Sequence, residues 1–388
     1  TRDRKLKVIE SKLPHVGTTI FTRMSALASE CEAINLSQGF PDFDAPEPLR
    51  EAVGQHVMAG HNQYAPMAGV LELRQQIAAH LELYRQVNCD PDTEITVLPG
   101  ATEGIFCAVM ASIGPGDEVI VLDPCYDSYE PSIELAGGKA VHIPLIGNNF
   151  RVDWQRVEDA VNSSTRMIMI NSPHNPSGST LSREDMLQLE ALVQRHGLLV
   201  TSDEVYEHLV FDEQQHHSVL QFDGLRERSF ALFSFGKTFS VTGWKTGYCV
   251  APPALTAELR KVHQFVSFVG VTPIQLALAQ FMRDYPDYPA GLASFYQQKR
   301  DLFCTALADS RFKLEPSRGT YFQLLDYSGI SKDPDESLCE AWTRQFSIAS
   351  IPISIFYQHP PEEQYFLRFC FAKSDELLLE AADILCKI

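Results

Sequence analysis

A chain of 388 residues, 45% hydrophobic and 21% charged, can bury a large core, which excludes a disordered chain, a collagen-like repeat and a small disulfide-stapled scaffold. Its 32 basic and 50 acidic side chains leave a formal charge of −18. That surface repels nucleic-acid phosphates and anionic lipid, so an anionic ligand has to be held by a few well-placed cations.

In chain order, residues 1–12 (TRDRKLKVIESK) are charged, expected to be mobile, and carry no apolar stretch for a secretion signal. From residue 94 to 252 short apolar runs alternate with amphipathic stretches. The runs at 94–98, 118–123, 166–171, 198–203, 230–235 and 246–251 predict strands. The segments 102–113, 126–136 and 182–196 predict helices between them. Strands this apolar, separated by helix-length segments, imply a mostly parallel central sheet with helices on both faces. Helices are expected at 255–267, 273–283 and 292–307. Beyond residue 310, strands at 313–314, 321–326 and 366–371 with helices at 336–346 and 375–387 predict a smaller α+β domain. The expected division is an N-terminal arm and part of the small domain at 1–45, a large domain at 46–290 and a small domain at 291–388.

Nowhere does the sequence approach the ~18 consecutive apolar residues of a membrane helix. Nine cysteines with no CxxC, and no HExxH or paired Cys/His spacing, predict reduced thiols, no metal site and a cytoplasmic protein.

Chemistry-bearing residues follow the predicted strands, at the edge where open α/β sheets bind ligands. Gly100-Ala101-Thr102 opens a helix, and backbone amides there suit a phosphate, although the same residues begin many ordinary helices. The turn NSPHNPSG at 171–178 presents Asn175, and SDEVY at 202–206 ends a strand with two carboxylates and a phenol. In SFGKTFSVTGWK at 234–245, Gly-Lys-Thr resembles the end of a P-loop, but the first glycine of that motif is Ala231 here. No GxGxxG follows a strand either. What remains is Lys237 and Lys245, set among aromatic residues and glycine. A lysine for a Schiff base, a carboxylate for a pyridine nitrogen and a helix start for a phosphate together describe a pyridoxal phosphate site.

The motifs SQGFPDF at 37–43, NQYAP at 62–66, DPCYDSYEP at 123–131, NSPHNPSG, SDEVYEHL at 202–209, SFGKTFSVTGWKTGY at 234–248 and RFCFAK at 368–373 resemble the class I aminotransferases of fold type I. The likeness runs through nearly the whole chain, in family order, and is greatest to the methionine and kynurenine/glutamine aminotransferase branch. It implies Lys237 as the Schiff-base lysine and proton carrier, and Asp203 as partner of the pyridine nitrogen. Tyr206 and Asn175 are implied at the ring oxygen and Tyr126 on the ring face. Gly100, Ala101, Thr102, Ser234 and Lys245 are implied around the phosphate. Arg368, with Gly39 and Asn175, is implied at the substrate carboxylate, and Ile20 and Phe21 along the substrate pocket. Tyr64 is implied to reach the site from the second subunit of a homodimer.

Tyr126 and Lys245 stand where the aspartate-specific branch has tryptophan and arginine. Residues 262–275 lack the arginine or lysine that a second carboxylate needs. The resemblance therefore implies ping-pong transamination between a neutral, methionine-like or aromatic L-amino acid and a 2-oxo acid, unless Arg23 supplies the missing cation. Cysteine-conjugate β-elimination on the same site is the alternative. A non-enzymatic amino-acid or cofactor sensor, of the kind joined to DNA-binding modules, is disfavoured by the charge of −18.

Overall fold

The computed structural model describes residues 9–388, so most of the charged start expected to be mobile lies outside the described residues. Its strands in chain order are β1 (Ile34–Asn35), β2 (Ile95–Leu98), β3 (Glu118–Asp123), β4 (Lys139–Pro144), β5 (Thr165–Asn171), β6 (Leu199–Asp203), β7 (Ser229–Ser234), β8 (Gly247–Val250), β9 (Phe322–Asp326), β10 (Ile348–Ala349), β11 (Ile351–Pro352) and β12 (Phe366–Cys370). Seven of them form one sheet in the order β2-β8-β7-β6-β5-β3-β4. Only β8 runs against its neighbours, pairing antiparallel with both β7 and β2.

The central strands are apolar and buried along almost their whole length, as a sheet covered on both faces demands. One covering layer contains the helices Leu71–Arg85, Arg183–His196 and Thr272–Asp284, and the opposite layer the helix Ala101–Ser112. The reversal of β8 follows from its connection. Between Ser234 and Gly247 the chain forms only the short turns Phe235–Thr238 and Thr242–Trp244. A parallel return needs a full crossover, usually a helix laid across the sheet, and none fits there.

A three-stranded antiparallel sheet, β11-β12-β9, makes the smaller unit, while β1 pairs parallel with β10. Its core joins the helix Ile20–Glu30 to the helices Leu292–Ala306, Asp335–Phe346 and Asp375–Leu385. The expected strand at 313–314 is reduced to a single bridge between Lys313 and Asp326. The helix expected from residue 126 starts at Tyr129, because Pro131 has no N–H for an earlier turn and fits only in the first turn of a helix. Among the described residues no helix is long and apolar enough to cross a membrane. All nine cysteines are free.

Candidate active site

The C-terminal ends of β2, β5, β6 and β7 open on one edge of the large sheet. Because β8 is antiparallel, its first residues arrive at the same edge and bring Lys245 and Thr246 with them. A cavity of about 360 Å³ lies there, between the large sheet and the smaller unit. Gly39, Gly100, Ala101, Thr102, Tyr126, Asn175, Asp203, Tyr206, Ser234, Lys237, Lys245, Phe21 and Arg368 all line it. Its basic side chains are Lys237, Lys245 and Arg368 and its one acidic side chain is Asp203, the reverse of the balance over the whole chain.

β6 delivers Asp203 to the cavity, where the carboxylate is 6% exposed. Tyr129 donates its phenol hydrogen to Oδ2 at 2.6 Å. Burial pushes the Asp203 pKa up to about 6, against the downward pull of the Tyr129 hydrogen bond. The neighbouring Glu204 faces the other way, where Ser202, the Val219 amide and His216 satisfy it at 2.9, 3.0 and 2.7 Å. Of the two adjacent carboxylates, chain alternation sends one to the site and one into the core.

Lys237 sits in the turn after β7. Its Nζ donates to the Gly39 carbonyl and to the Tyr321 phenol oxygen, each at 3.0 Å. Loss of hydration lowers its pKa to about 8; Arg368 and Lys245 add to that, while the Cys370 thiol and Asp203 oppose it. The ammonium still predominates at pH 7, but the amine is neutral far more often than that of an ordinary lysine, and the neutral form is the one a nucleophile or base requires.

Gly100 caps the helix Ala101–Ser112 with φ +85° and ψ 159°, a conformation essentially reserved for glycine. A Cβ there would lie 3.2 Å from Lys245 Nζ, so the missing side chain lets that cation approach the helix start. Free amides, the positive helix end and an ammonium together suit a phosphate.

Arg368 enters from β12 and is 1% exposed. Nη1 donates to Asn175 Oδ1 at 2.7 Å and Nη2 to the Ser37 carbonyl at 2.9 Å, while the buried Nε has no partner. The guanidinium lies 3.9 Å from the Phe322 ring centroid, a contact that favours a cation. Since Asn175 spends its oxygen on Arg368, its NH₂ group is left to donate elsewhere. Behind it, His174 must donate from Nε2 to the Pro124 carbonyl at 2.8 Å and accept at Nδ1 from Ser177 at 2.5 Å. Burial lowers its pKa to about 4, which keeps the ring neutral.

Ile20 does not line the cavity as expected: it is 6% exposed within the core of the smaller unit. Consecutive helical residues diverge by about 100°, so Phe21 alone reaches the cavity from that helix. Tyr64 is 86% exposed and lies outside the cavity, its ring edge-on to Phe268 at 5.6 Å. Residues 262–275 likewise stay out of it, with Phe265 and Val271 exposed. Arg23 pairs with Glu336 at 3.4 Å and Glu340 at 2.5 Å on the outside, so it supplies no cation to the site. Sequence reasoning missed Tyr129, Tyr321 and Phe322. Tyr129 lies in the same DPCYDSYEP motif as Tyr126, but Tyr321 and Phe322 carried no local signal.

A family model for aminotransferase class I and II matches residues 32–385. The methionine aminotransferase of Escherichia coli strain K12 is 48% identical over 374 residues, covering 96% of this chain and 97% of its own length. A probable N-succinyldiaminopimelate aminotransferase of Mycobacterium tuberculosis is 38% identical over 381 residues, 96% of each chain. Among solved structures, Escherichia coli YbdL, whose crystal structure and reactivity identify a methionine aminotransferase function, superposes with a TM-score of 0.96 at 48% identity. That superposition covers 98% of this chain and 100% of the other.

Proposed function

This chain belongs to the class I and II aminotransferases, enzymes that use pyridoxal phosphate, and on that premise we propose that it takes the amino group from a neutral, methionine-like or aromatic L-amino acid and passes it to a 2-oxo acid in a ping-pong reaction. The observation that carries this reading is the cavity itself, in which each of the three basic groups already has a task and the rest of the lining, with Phe21, Phe40 and Phe322 among aliphatic and uncharged polar residues, offers no further cation.

The residues present fit the cofactor. Gly100, Ala101, Thr102, Ser234 and Lys245 suit its phosphate, Asp203 its ring nitrogen, Asn175 and Tyr206 its ring oxygen, Tyr126 its ring face and Lys237 its aldehyde. Bound there, pyridoxal phosphate supplies an electrophilic carbon and a protonated ring that accepts the electrons of a substrate Cα–H bond. Asp203, held by Tyr129, keeps a negative charge beside the ring nitrogen and so favours its protonated form. The unpartnered Nε and the Nη groups of Arg368 offer a planar fork to the substrate α-carboxylate. Lys237, displaced by the substrate amine, takes the proton from Cα and returns it on the other side of the transferred nitrogen. One carboxylate grip serves both amino acid and 2-oxo acid, so the first product leaves before the second substrate enters.

Selectivity follows from charge. Phe21, Phe40 and Phe322 line the cavity, Phe21 and Phe322 against Arg368, and a second substrate carboxylate buried without a cation is costly. The similarity to a methionine aminotransferase supports the same choice. Methionine should exceed aspartate in kcat/KM by at least about tenfold, or ~1.4 kcal/mol of transition-state preference. Steady-state rates with both donors and a common 2-oxo acid decide it, and aspartate equal to or better than methionine overturns the reading.

The active form in this proposal is a homodimer in which Tyr64 completes the partner's phosphate site. Its support is that Tyr64 is 86% accessible and packs its ring edge-on against Phe268, itself exposed. The division at residues 45 and 290 is proposed on the ground that residues 20–36 share one core with residues 292–385. Nine unpaired thiols suit a reducing cytoplasm.

A further inference from the structure

Tyr321 precedes β9, is 0% exposed and stands behind Lys237, outside the ring of residues that line the cavity. Three groups meet there. Tyr321 donates its phenol hydrogen to the Gly39 carbonyl. Lys237 Nζ donates to that same carbonyl and to the phenol oxygen, each at 3.0 Å. Gly39 reaches this position because it has no side chain: a Cβ would sit 2.9 Å from Cζ of Phe322. The amine also lies 5.5 Å from the ring centroids of both Tyr206 and Tyr321.

A neutral amine has two N–H bonds and one lone pair in a tetrahedral arrangement. Two acceptors on the wall side take both N–H bonds, which leaves the lone pair directed into the cavity. The phenol is equally constrained, since giving its hydrogen to Gly39 turns an oxygen lone pair toward the lysine. We propose that Tyr321 and the Gly39 carbonyl form the seat of Lys237 during proton transfer, with Tyr321 a positioning residue that aims the lysine at the substrate Cα. This inference rests on the aminotransferase reading of the site.

In the step it serves, the Lys237 lone pair takes the Cα proton, and the C–H electron pair stays with the carbon and the ring that conjugates with it. The transferred proton becomes the third N–H of an ammonium whose other two remain on Gly39 and Tyr321. That third N–H points into the cavity, ready to be handed on. The same two acceptors thus orient the base before transfer and hold the acid after it, while Asp203, Arg368, Lys245, Tyr206 and Cys370 complete the groups facing the amine.

Tyr321→Phe keeps the ring and removes the acceptor. In the loaded enzyme, exchange of the methionine Cα–H for solvent deuterium, followed by NMR, should slow at least tenfold. The visible absorbance of the bound cofactor and the methionine dissociation constant should hold. In the cofactor-stripped protein, the pH midpoint for acetic anhydride acylation of Lys237, read by peptide mass spectrometry, should fall, because the ammonium has lost an acceptor. Tyr296→Phe is the control: it removes a buried hydroxyl without a hydrogen-bond partner from the ring packed 5.8 Å from Tyr321, and both readouts should stay at wild-type values. Wild-type exchange and an unmoved acylation midpoint in Tyr321→Phe overturn the inference, as does an equal loss in Tyr296→Phe. A wild-type protein that exchanges no amino acid at all overturns the aminotransferase reading with it.

Discussion

At the scale of single residues, the site depends on ionisable groups held away from their ordinary behaviour by loss of water. Asp203 is the measurable case. Its pKa of about 6 in the cofactor-free protein exceeds that of an unfolded aspartate near 3.8, so between those values the folded chain keeps a proton that the unfolded chain has released. Stability contributed at this residue is therefore greatest below about pH 4 and declines as pH rises through about 6. Each pH unit of the difference is worth about 1.4 kcal/mol, so the whole loss is about 3 kcal/mol. Asp203→Asn removes it. Urea unfolding of the cofactor-free proteins across pH 4 to 7 should show wild type losing ground to Asp203→Asn by roughly that amount, and a difference constant with pH would refute the cause given for the shift. In the loaded enzyme Asp203→Ala should retain cofactor while losing most of the turnover rate, since it removes the charge that favours a protonated ring.

At the scale of elements, the first turn of the helix Ala101–Ser112 does what no single side chain does: it concentrates free amides and a positive helix end at one point. Gly100 makes this possible through its backbone. Gly100→Ala should strain the turn by about 1–3 kcal/mol and crowd Lys245. The expected result is cofactor affinity weakened by about tenfold or more, with the fold intact, measured by titrating apoprotein with pyridoxal phosphate. Gly197 is the matched control. It also has positive φ, +67°, at the end of the helix Arg183–His196, but an added Cβ there meets nothing within 4 Å. Gly197→Ala should cost about 1–2 kcal/mol of stability and leave cofactor affinity unchanged. Equal affinities in the two variants would mean that the helix start does not hold the phosphate.

At the scale of the whole molecule, the proposed homodimer gives the exposed Tyr64 a function. Lys237→Ala should be inactive, because no other lysine shares its seat against Gly39 and Tyr321. A Tyr64→Ala chain should be strongly impaired if Tyr64 completes the second subunit's site. Mixed and allowed to exchange subunits, the two variants should recover activity, since a mixed dimer holds one site with both native residues. Random pairing of equal amounts makes about one site in four fully native. Recovery to that level, together with a dimer mass in sedimentation, is the expected outcome. A fully active monomer, or no recovery from chains shown to exchange, would end the shared-site proposal.

The sequence by itself determined the strands that carry the site, because a strand buried on both faces must be apolar along its length and the turn after it is free to be polar. It also determined which residue types stand at those strand ends, from Gly100 through Asn175 and Asp203 to Lys237 and Lys245, since each lies in a local motif of the kind the proposed chemistry requires. Tertiary structure alone decided which of Asp203 and Glu204 faces the cavity, and that Phe21 and not Ile20 reaches it. It also decided that Tyr129 holds Asp203, that Arg368 meets Asn175 and Ser37, and that Tyr321 backs Lys237. These partners stand 74 to 331 positions apart. Periodicity and turn chemistry act between near neighbours along the chain, whereas contacts at such separations exist only once the two units have packed against each other.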